Sequence, residues 1–458
     1  MSVLIGSFTE HTIECTTYQH SSGASIVFCS LPHSPICQLS VGFKTLCSSD
    51  HGLPHCLEHM CFLGSENHPS KGLLDRVATL HCSTGTNAFT YIDQTVYTLQ
   101  TAGPDGIIKV LPIYLDHLFR PTITPESLLT EIHHINSAGE DGGVVFSEVS
   151  ADFYSDHSQV YHELLKHLYS DSPYQYNYGG SPLLLHELSL SDLLTFHSTF
   201  YSPSNSVIVV TGSFNDEFKS SFLGNLNDFL EELNPGQSDH VSIPAIPPLS
   251  ASVSTEIFFP SEDEDVGIVQ LGWRLCDYND WTLISAFKVL SDYLAEGSSA
   301  PFVKELIECE NPICSEVEIN LIEVKSVAVV IEFEDVDVDF IDDVADRVDA
   351  LIEQVISDGI DMERIAQLIK RHDRRLLFDF DCGNIEEVSE EVISSFLYSN
   401  GLSLDSLKDS MNRSYGWLLE KDDQFWIQCL QVFLNQPKVE VKGFPSAEKG
   451  KRSLNNQI

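Results

Sequence analysis

The chain has 458 residues, with 25 Lys and Arg against 68 Asp and Glu, which gives a formal net charge of −43 at pH 7. A surface this acidic repels phosphate backbones and anionic lipid headgroups, so binding to nucleic acid or to a membrane surface is excluded as an expected function. Basic peptides are the partners that such a field attracts. Hydrophobic residues make up 42% of the sequence, enough to bury the cores of two domains of ~200 residues each.

The N-terminus carries no recognisable targeting segment. Its apolar run is too short for a secretory signal, and no Lys or Arg precedes Lys44, so a basic transit peptide is not predicted either. No stretch approaches the ~18 consecutive apolar residues of a membrane span. We therefore expect a cytoplasmic protein, with the mitochondrial matrix as the second choice.

Residues 1–234 mix strand-like and helix-like patterns. This mixture predicts an α+β domain with a mainly antiparallel sheet. The strand-like runs are residues 12–19, 24–30, 37–46, 86–92 and 95–100, followed by a helix, a turn and a buried strand over residues 191–214. The helix-like runs begin near Pro54 and continue with residues 71–81, 104–119, 144–170 and 216–234.

A linker and a second domain follow. Residues 235–250 contain four prolines and form the predicted linker. Residues 251–437 repeat the order of strands and helices and predict a second, non-catalytic domain of the same fold. The basic and polar residues 438–458 show no face suited to a core and are predicted to be a tail or the start of a linker.

The motif with the most chemical content lies in the stretch GLPHCLEHMCFLGS, residues 52–65. On a helix, His59 lies about 40° and Glu58 about 60° around the axis from His55, so the three side chains share one face. Two imidazoles are good ligands for Zn²⁺, and a neighbouring carboxylate can take a proton from an activated water. The order H-x-x-E-H makes Glu58 the candidate base.

The spacing by itself is also compatible with a partly exposed helix whose two histidines and one glutamate face water. Of the other histidines, His51 lies four positions before His55, but the intervening Gly52 and Pro54 argue against one continuous helix. A pair of ligands from His162 and His167 is not expected, because the two side chains lie about 140° apart on a helix. The motif therefore needs support from its surroundings.

That support comes from a resemblance. The segment GLPHCLEHMCFLGSENHPSKG resembles the zinc-binding helix of the pitrilysin family of inverted zinc metallopeptidases. The stretches TGTNAFTYIDQTVYTL, GGVVFSEVSADFYSD and FHSTFYSPSNSVIVVTG are similar to later segments of the family, in the same order. The stretch GGVVFSEVSADFYSD, and its distance along the chain from the H-x-x-E-H motif, resemble the presequence-protease branch. The resemblance implies two homologous α/β domains, each with a mainly antiparallel sheet packed against helices.

The resemblance also implies the remaining site residues. Glu148 falls on the family's third zinc ligand, which predicts one Zn²⁺ per chain held by His55, His59 and Glu148. Glu131 and Glu140 stand as alternatives for that third ligand. Asp141 occupies about the place of an acid that supports the ligands in relatives.

The implied activity is that of a zinc metalloendopeptidase with Glu58 as general base. Asn87 and Ala88 resemble residues that pair with an extended substrate, and an exposed strand edge would bind a peptide through its backbone. A structural role for Asn87 at a turn or strand end is the other interpretation.

Single-chain relatives have four such domains, so we expect this chain to need a C-terminal half or a second subunit to close a chamber around peptide substrates. The alternatives are a form that binds zinc and peptides without efficient cleavage, and a structural subunit of the core type.

Overall fold

The structure is a computed structural model that describes residues 1–10, 12–233, 241–261, 263–381, 384–399 and 402–446. The chain forms two compact units. Within the described residues, no helix is both long enough and apolar enough to cross a membrane. Residues 241–250 of the predicted linker have no regular secondary structure, and residues 235–240 lie outside the described part.

Groups of strands and groups of helices follow one another along the chain. The strands are β1 (Ser2–Glu10), β2 (Ile13–His20), β3 (Ser25–Ser30), β4 (Ile36–Lys44), β5 (Ser83–Tyr91), β6 (Gln94–Ala102), β7 (His134–Ile135), β8 (Asp141–Gly142), β9 (Ser206–Gly212), β10 (Val253–Phe259), β11 (Val266–Asp277), β12 (Glu316–Ile322), β13 (Ser326–Asp337) and β14 (Lys438–Pro445). The α-helices are α1 (Leu53–Cys61), α2 (Leu73–Leu80), α3 (Asp105–Phe119), α4 (Pro125–Glu131), α5 (Val144–Phe153), α6 (Asp156–Leu168), α7 (Leu190–Phe200), α8 (Asp216–Glu232), α9 (Trp281–Ala295), α10 (Val344–Asp358), α11 (Met362–Asp381), α12 (Ile385–Tyr398), α13 (Leu404–Met411) and α14 (Asp423–Asn435).

Unit 1 comprises Met1–Val149, Asn177–Ile243 and Leu376–Arg413. Its sheet has the strand order β1-β2-β3-β9-β4-β6-β5. All neighbouring strands are antiparallel except β3 and β9. The mainly antiparallel sheet predicted from the sequence is therefore confirmed, and β5 lies at one edge.

Helices cover both faces of the first sheet. The apolar faces of α1, α3, α7 and α8 join one buried core with alternate residues of the central strands. Helix α12 packs on the opposite face, where the hydroxyls of Thr211 and Ser389 lie 2.8 Å apart. Helix α1, which carries the H-x-x-E-H motif, thus packs on a sheet whose central strands β3, β4 and β9 are buried.

Unit 2 comprises Ser150–Tyr176, Pro244–Arg375 and Ser414–Ile458. Its sheet has the order β10-β14-β11-β13-β12, with only β10 and β14 parallel. Strand β14 lies inside this sheet and pairs with a neighbour on each side. Residues 438–445 are therefore a strand and not the tail predicted from their composition, because Val439 and Val441 alternate into the core. Residues 447–458 lie outside the described part.

Helix α6 packs on one face of the second sheet. A Cβ added to Gly272 would lie 3.1 Å from a methyl group of Leu164, so the glycine lets the helix approach closely. On the other face, Trp273 is fully buried and its indole N–H donates to the Phe433 carbonyl at 3.1 Å. The sheet is covered on both sides, as in unit 1.

Each unit has a cation–aromatic contact between a strand of its sheet and a residue in or next to a helix. In unit 1 the Lys44 ammonium lies 4.6 Å from the centre of the Phe396 ring. In unit 2 the Arg274 guanidinium lies 4.5 Å from the centre of the Tyr169 ring. A cation on an aromatic face is favourable where water is excluded. This correspondence agrees with the predicted similarity of the two domains.

The units are not contiguous in sequence. Residues 150–176, which include all of α6, belong to unit 2, and residues 376–413, which include α12, belong to unit 1. An amphipathic pattern predicts that a helix buries one face, but it does not identify the sheet on which the helix packs. The domain bounds 1–234 and 251–437 remain a prediction.

An ion pair between α6 and the second sheet predicts a pH effect on stability. His157 Nε2 lies 3.0 Å from the nearly buried Glu332 carboxylate, and this hydrogen bond raises the pKa of His157. Because the folded pKa is raised, the stabilisation is fully present below the unfolded value of ~6.5 and is lost as the pH rises through the folded pKa. Half of the His157 side chain is exposed, so we expect only about 0.5 kcal/mol.

The measurement is thermal unfolding of the parent and of His157→Gln at pH 6 and at pH 8.5. The variant should be destabilised more at pH 6 than at pH 8.5. His33→Gln, at an exposed histidine, is the control and should show no such difference. Equal destabilisation of His157→Gln at both pH values would contradict the prediction.

Candidate metal centre

Helix α1 holds the H-x-x-E-H motif and begins where the sequence predicts. Gly52 precedes it with φ +65°, a conformation that residues with a side chain rarely adopt, and Pro54 occupies the first turn. A Cβ on Gly52 would also lie 2.6 Å from the Gly179 carbonyl oxygen. Cys56 and Leu57 face the core, which leaves His55 and His59 on the accessible side of the helix.

The two histidines meet a carboxylate from another helix. One ligand atom from each of His55, His59 and Glu148 lies within 4.8 Å of the other two. His55 Nε2 lies 3.7 Å from one Glu148 oxygen, and His59 Nε2 lies 3.3 Å from the other. Two ligands on one tetrahedral zinc ion lie ~3.3 Å apart when the bonds are ~2.0–2.1 Å. The donor types suit zinc, and the two separations from Glu148 are close to this value.

The metal-facing atoms differ in exposure. The His55 and His59 side chains are 14% and 19% exposed, whereas Glu148 is 59% exposed. The imidazoles are thus fixed by the fold, and the carboxylate reaches them from the solvent side. Catalytic zinc sites use three protein ligands and leave one position open, and the three candidate ligands here have one side exposed to solvent.

The second nitrogen of each imidazole has its own partner. His55 Nδ1 donates to the Gly179 carbonyl at 3.1 Å, and His59 Nδ1 donates to Glu131 Oε1 at 3.4 Å. Partners of this kind fix the tautomer and leave Nε2 free to bind a metal. Both histidines are therefore oriented before any ion binds.

Glu131 lies behind His59. It is 7% exposed, and its other oxygen accepts a hydrogen bond from Lys71 at 3.2 Å. The hydrogen bond from His59 and the Lys71 ammonium lower the pKa of Glu131 despite its burial. Burial disfavours the charged form of His59, but the bond to Glu131 and the nearby carboxylates outweigh it and raise the pKa of His59. Glu131, which the sequence analysis kept as an alternative third ligand, thus contacts Nδ1 of His59, whereas Nε2 of His59 faces Glu148.

The structure does not bring Asp141 to the ligands. Its carboxylate lies 2.8 Å from His133 Nε2, in the short β7-β8 ribbon. Glu140 is exposed and accepts a hydrogen bond from Asn136 at 3.1 Å. His51 lies between Ser49 and Glu187, outside α1. The resemblance suggested Asp141 as the supporting acid, but the acid that contacts His59 is Glu131, from α4.

Glu58 projects from α1 toward the first sheet. It is 9% exposed, and one oxygen accepts a hydrogen bond of 2.6 Å from the Thr90 hydroxyl on β5. Burial raises the pKa of Glu58, although Thr90 and the two histidines act in the opposite direction. A carboxylate with a raised pKa is a stronger proton acceptor. The motif alone did not identify Thr90. Because side chains two positions apart on a strand point to the same face, Thr90 lies on the same face of β5 as Ala88.

The edge of β5 runs beside the site. Within the described residues, β5 pairs with β6 alone, with Asn87 opposite Thr98 and Ala88 opposite Tyr97. Ala88 packs against the core, while the Asn87 side chain is exposed. The opposite edge of β5 offers backbone N–H and C=O groups to an added strand. This arrangement is compatible with the predicted peptide-binding role of the segment.

Two family models match the chain. The model described as Insulinase (Peptidase family M16) matches residues 48–165, and the model described as Peptidase M16 inactive domain matches residues 187–371. The chain belongs to the M16 family of peptidases. The resemblance to pitrilysin-type peptidases is therefore confirmed.

Relatives of this M16 chain are longer than the chain itself. An uncharacterized protein of Caenorhabditis elegans is 30% identical over 425 residues, which are 90% of this chain and 42% of the relative. A protein of Mus musculus named presequence protease, mitochondrial, is 30% identical over 286 residues, 59% of this chain and 27% of the relative. The M16 chain spans less than half the length of these curated relatives.

Solved structures confirm the α+β fold of the M16 chain. A protease from Helicobacter pylori matches with a TM-score of 0.76 and 16% identity, over 95% of this chain and 100% of that chain. Pitrilysin matches with a TM-score of 0.67 and 14% identity, over 96% of this chain and 46% of that chain. At these identities the likeness concerns the fold, so the role of each site residue in the M16 chain is a proposal.

Proposed function

We propose that the chain is a zinc metalloendopeptidase, or the catalytic half of one, that hydrolyses peptide bonds. The observation that carries this proposal is the convergence of His55, His59 and Glu148 ligand atoms within 4.8 Å, beside the buried carboxylate of Glu58. Membership of a peptidase family supports the class of reaction. His55, His59 and Glu148 would hold one Zn²⁺ per chain.

Several residues of the chain have separate roles in the proposed hydrolysis. Zinc bound there supplies a lowered pKa for a water molecule and polarises the carbonyl to be attacked. Glu58 accepts a proton from the attacking water and returns it to the leaving amine. Thr90 holds the Glu58 carboxylate in place through its 2.6 Å hydrogen bond. Gly179 and Glu131 keep both imidazoles turned toward Glu148.

The proposed substrate is an extended peptide added to the edge of β5. Asn87 and Ala88 lie on that edge and would contribute mainly backbone groups, so recognition depends little on side chains. The net charge of −43 favours basic peptides over acidic ones. Neither nucleic acid nor a membrane is a proposed partner.

A C-terminal half or a second subunit is the proposed partner of the chain. It would supply what the longer relatives carry beyond the 42% of their length that this chain matches. The same observation favours a second candidate function, in which this chain alone binds zinc and peptides without efficient cleavage. We keep the cytoplasm as the proposed compartment, and relatives that are named mitochondrial make the matrix the second choice.

The test is cleavage of a quenched fluorescent peptide by the purified chain. We expect hydrolysis that stops when zinc is chelated and resumes when zinc is restored. Cleavage that appears only after a candidate C-terminal half is added would assign the chain the role of half an enzyme. Zinc-independent cleavage would contradict the proposed mechanism.

The contact between Glu131 and His59 gives a separate prediction. In Glu131→Gln, the neutral amide can still accept the His59 hydrogen bond, but it no longer strengthens the imidazole as an electron donor to zinc and no longer pairs with Lys71. We expect zinc binding to weaken about tenfold, since partners behind a ligand typically contribute 10–100-fold. The zinc dissociation constant is measured by competition with a chelator.

Glu126→Gln is the matched control, because Glu126 lies exposed on the same helix α4. It should bind zinc as the parent does. Complete loss of zinc from Glu131→Gln would make Glu131 a direct ligand, and unchanged affinity would remove its supporting role.

A further inference from the structure

We propose that Asn177 is a positioning residue for the zinc ligand His55, acting through the backbone carbonyl of Gly179. The inference rests on the proposed zinc site. Asn177 has no contact with the metal-facing atoms and was not singled out by any sequence motif. Its effect on the site follows from three sets of contacts.

The first contact fixes the His55 ring. Its Nδ1 donates to the Gly179 carbonyl at 3.1 Å, and its Nε2 lies 3.7 Å from Glu148. Within the described residues, this carbonyl is the hydrogen-bond partner of Nδ1. The position of one backbone oxygen therefore determines where the metal-binding lone pair of His55 points.

The second set of contacts fixes that carbonyl. The Asn177 side-chain oxygen accepts hydrogen bonds from the backbone N–H groups of Gly179 at 2.9 Å and Gly180 at 3.1 Å. The Asn177 side-chain N–H₂ donates to the Gly180 carbonyl at 3.1 Å. The Asn177 side-chain amide thus restrains the backbone of Gly179 and Gly180. Without these hydrogen bonds, two consecutive glycines have large conformational freedom.

The third set ties the turn to the start of α1. The Asp50 carboxylate accepts from the Asn177 backbone N–H at 2.7 Å, and the Asp50 carbonyl accepts from the Ser181 N–H at 2.8 Å. Gly52 and Gly180 are so close that a Cβ on Gly180 would lie 2.9 Å from the Gly52 Cα. The turn at residues 177–180 is therefore held against the start of α1, and the Asn177 side chain forms the hydrogen bonds within the turn.

The experiment compares zinc affinity in three full-length variants by chelator competition. Asn177→Ala removes all three side-chain hydrogen bonds and should weaken zinc binding about tenfold. Asn177→Asp keeps the acceptor for both glycine N–H groups and should bind within about threefold of the parent, a smaller effect than losing an outer partner altogether. In each Asn177 variant that retains zinc, kcat should fall with the loss of alignment while KM stays near the parent value.

Asn136→Ala is the matched control. Asn136 braces a similar turn in the same unit, where its side-chain oxygen accepts from the N–H groups of Ala138 at 2.8 Å and Glu140 at 3.0 Å. It should bind zinc as the parent does. Equal weakening in Asn136→Ala and Asn177→Ala would overturn the proposal, because it would show a general loss of stability.

Parent-like zinc affinity in Asn177→Ala would also overturn the proposal and would leave the proposed peptidase function intact. If the parent itself bound no zinc, the proposed function would fail instead, so the two failures are distinguishable. If Asn177→Ala does not fold, Asn177→Ser provides the test. Its shorter acceptor should weaken zinc binding by a smaller factor, and unchanged binding would count against the proposal.

Discussion

Glu58→Gln is expected to abolish peptide cleavage while the chain keeps its zinc. Glu58 lies outside the group of converging ligand atoms, so its loss leaves the metal-binding atoms in place. A glutamine cannot accept the proton of the attacking water, and a positioned general base contributes about 10²–10⁴-fold to the rate. The measurements are the rate of hydrolysis of a fluorescent peptide and the zinc content of the same sample.

The matched control for this prediction is Glu66→Gln. Glu66 follows α1 and is exposed, so this variant makes the same change of charge near the site without touching the buried carboxylate. It should cleave at the parent rate. Parent-like cleavage by Glu58→Gln would rule out its role as the base.

Glu148→Gln is expected to lose zinc and, with it, activity. Its carboxylate lies 3.3 Å and 3.7 Å from the two histidine nitrogens and supplies the only negative charge in the ligand group. An amide binds zinc far more weakly, so we expect affinity to fall by at least about 100-fold, more than for a partner behind a ligand. Because Glu148 is 59% exposed, the metal-free fold should be as stable as that of the parent.

Glu140→Gln and Asp141→Asn are the controls for Glu148→Gln. Both residues lie close to Glu148 in sequence, and both are held by other partners, Asn136 and His133. They should keep parent-like zinc affinity by chelator competition. Zinc retention in Glu148→Gln together with loss in either control would reassign the third ligand.

Local sequence predicted the part of the site that one helix builds. The i, i+3 and i+4 spacing of His55, Glu58 and His59 follows from helix geometry alone, and Gly52 with Pro54 marked where the helix begins. The resemblance was needed to single out Glu148, because nothing in the local pattern distinguishes it from Glu131 or Glu140. The structure brings Glu148, and not these two, to the metal-facing nitrogens.

The supporting contacts could not be predicted because they join residues distant in sequence. Glu131 reaches His59 across 72 positions, and the carbonyl of Gly179 reaches His55 across 124. Such contacts depend on how helices and turns pack together, and a periodic pattern carries no information about packing partners. The same limit applies to β14, whose alternation is too short and too basic to mark it as an interior strand.

The fold class followed from simpler signals. Strand-like and helix-like patterns predicted a mainly antiparallel sheet and a repeat of the element order, the resemblance implied two such sheets packed against helices, and both sheets are mainly antiparallel. The exchange of α6 and α12 between the units was not predictable, since either sheet could receive an apolar helix face. Local sequence patterns thus predicted the mainly antiparallel sheets, whereas the sheet on which each helix packs could be read only from the structure.

The zinc content of the purified chain tests the central claim most directly. After dialysis against metal-free buffer, elemental analysis should find one zinc ion per chain in the parent, because two oriented imidazoles and a carboxylate converge on one point. The same analysis should find none in Glu148→Gln. A parent chain that contains no zinc and takes up none when it is supplied would contradict the metal site and the peptidase function built on it.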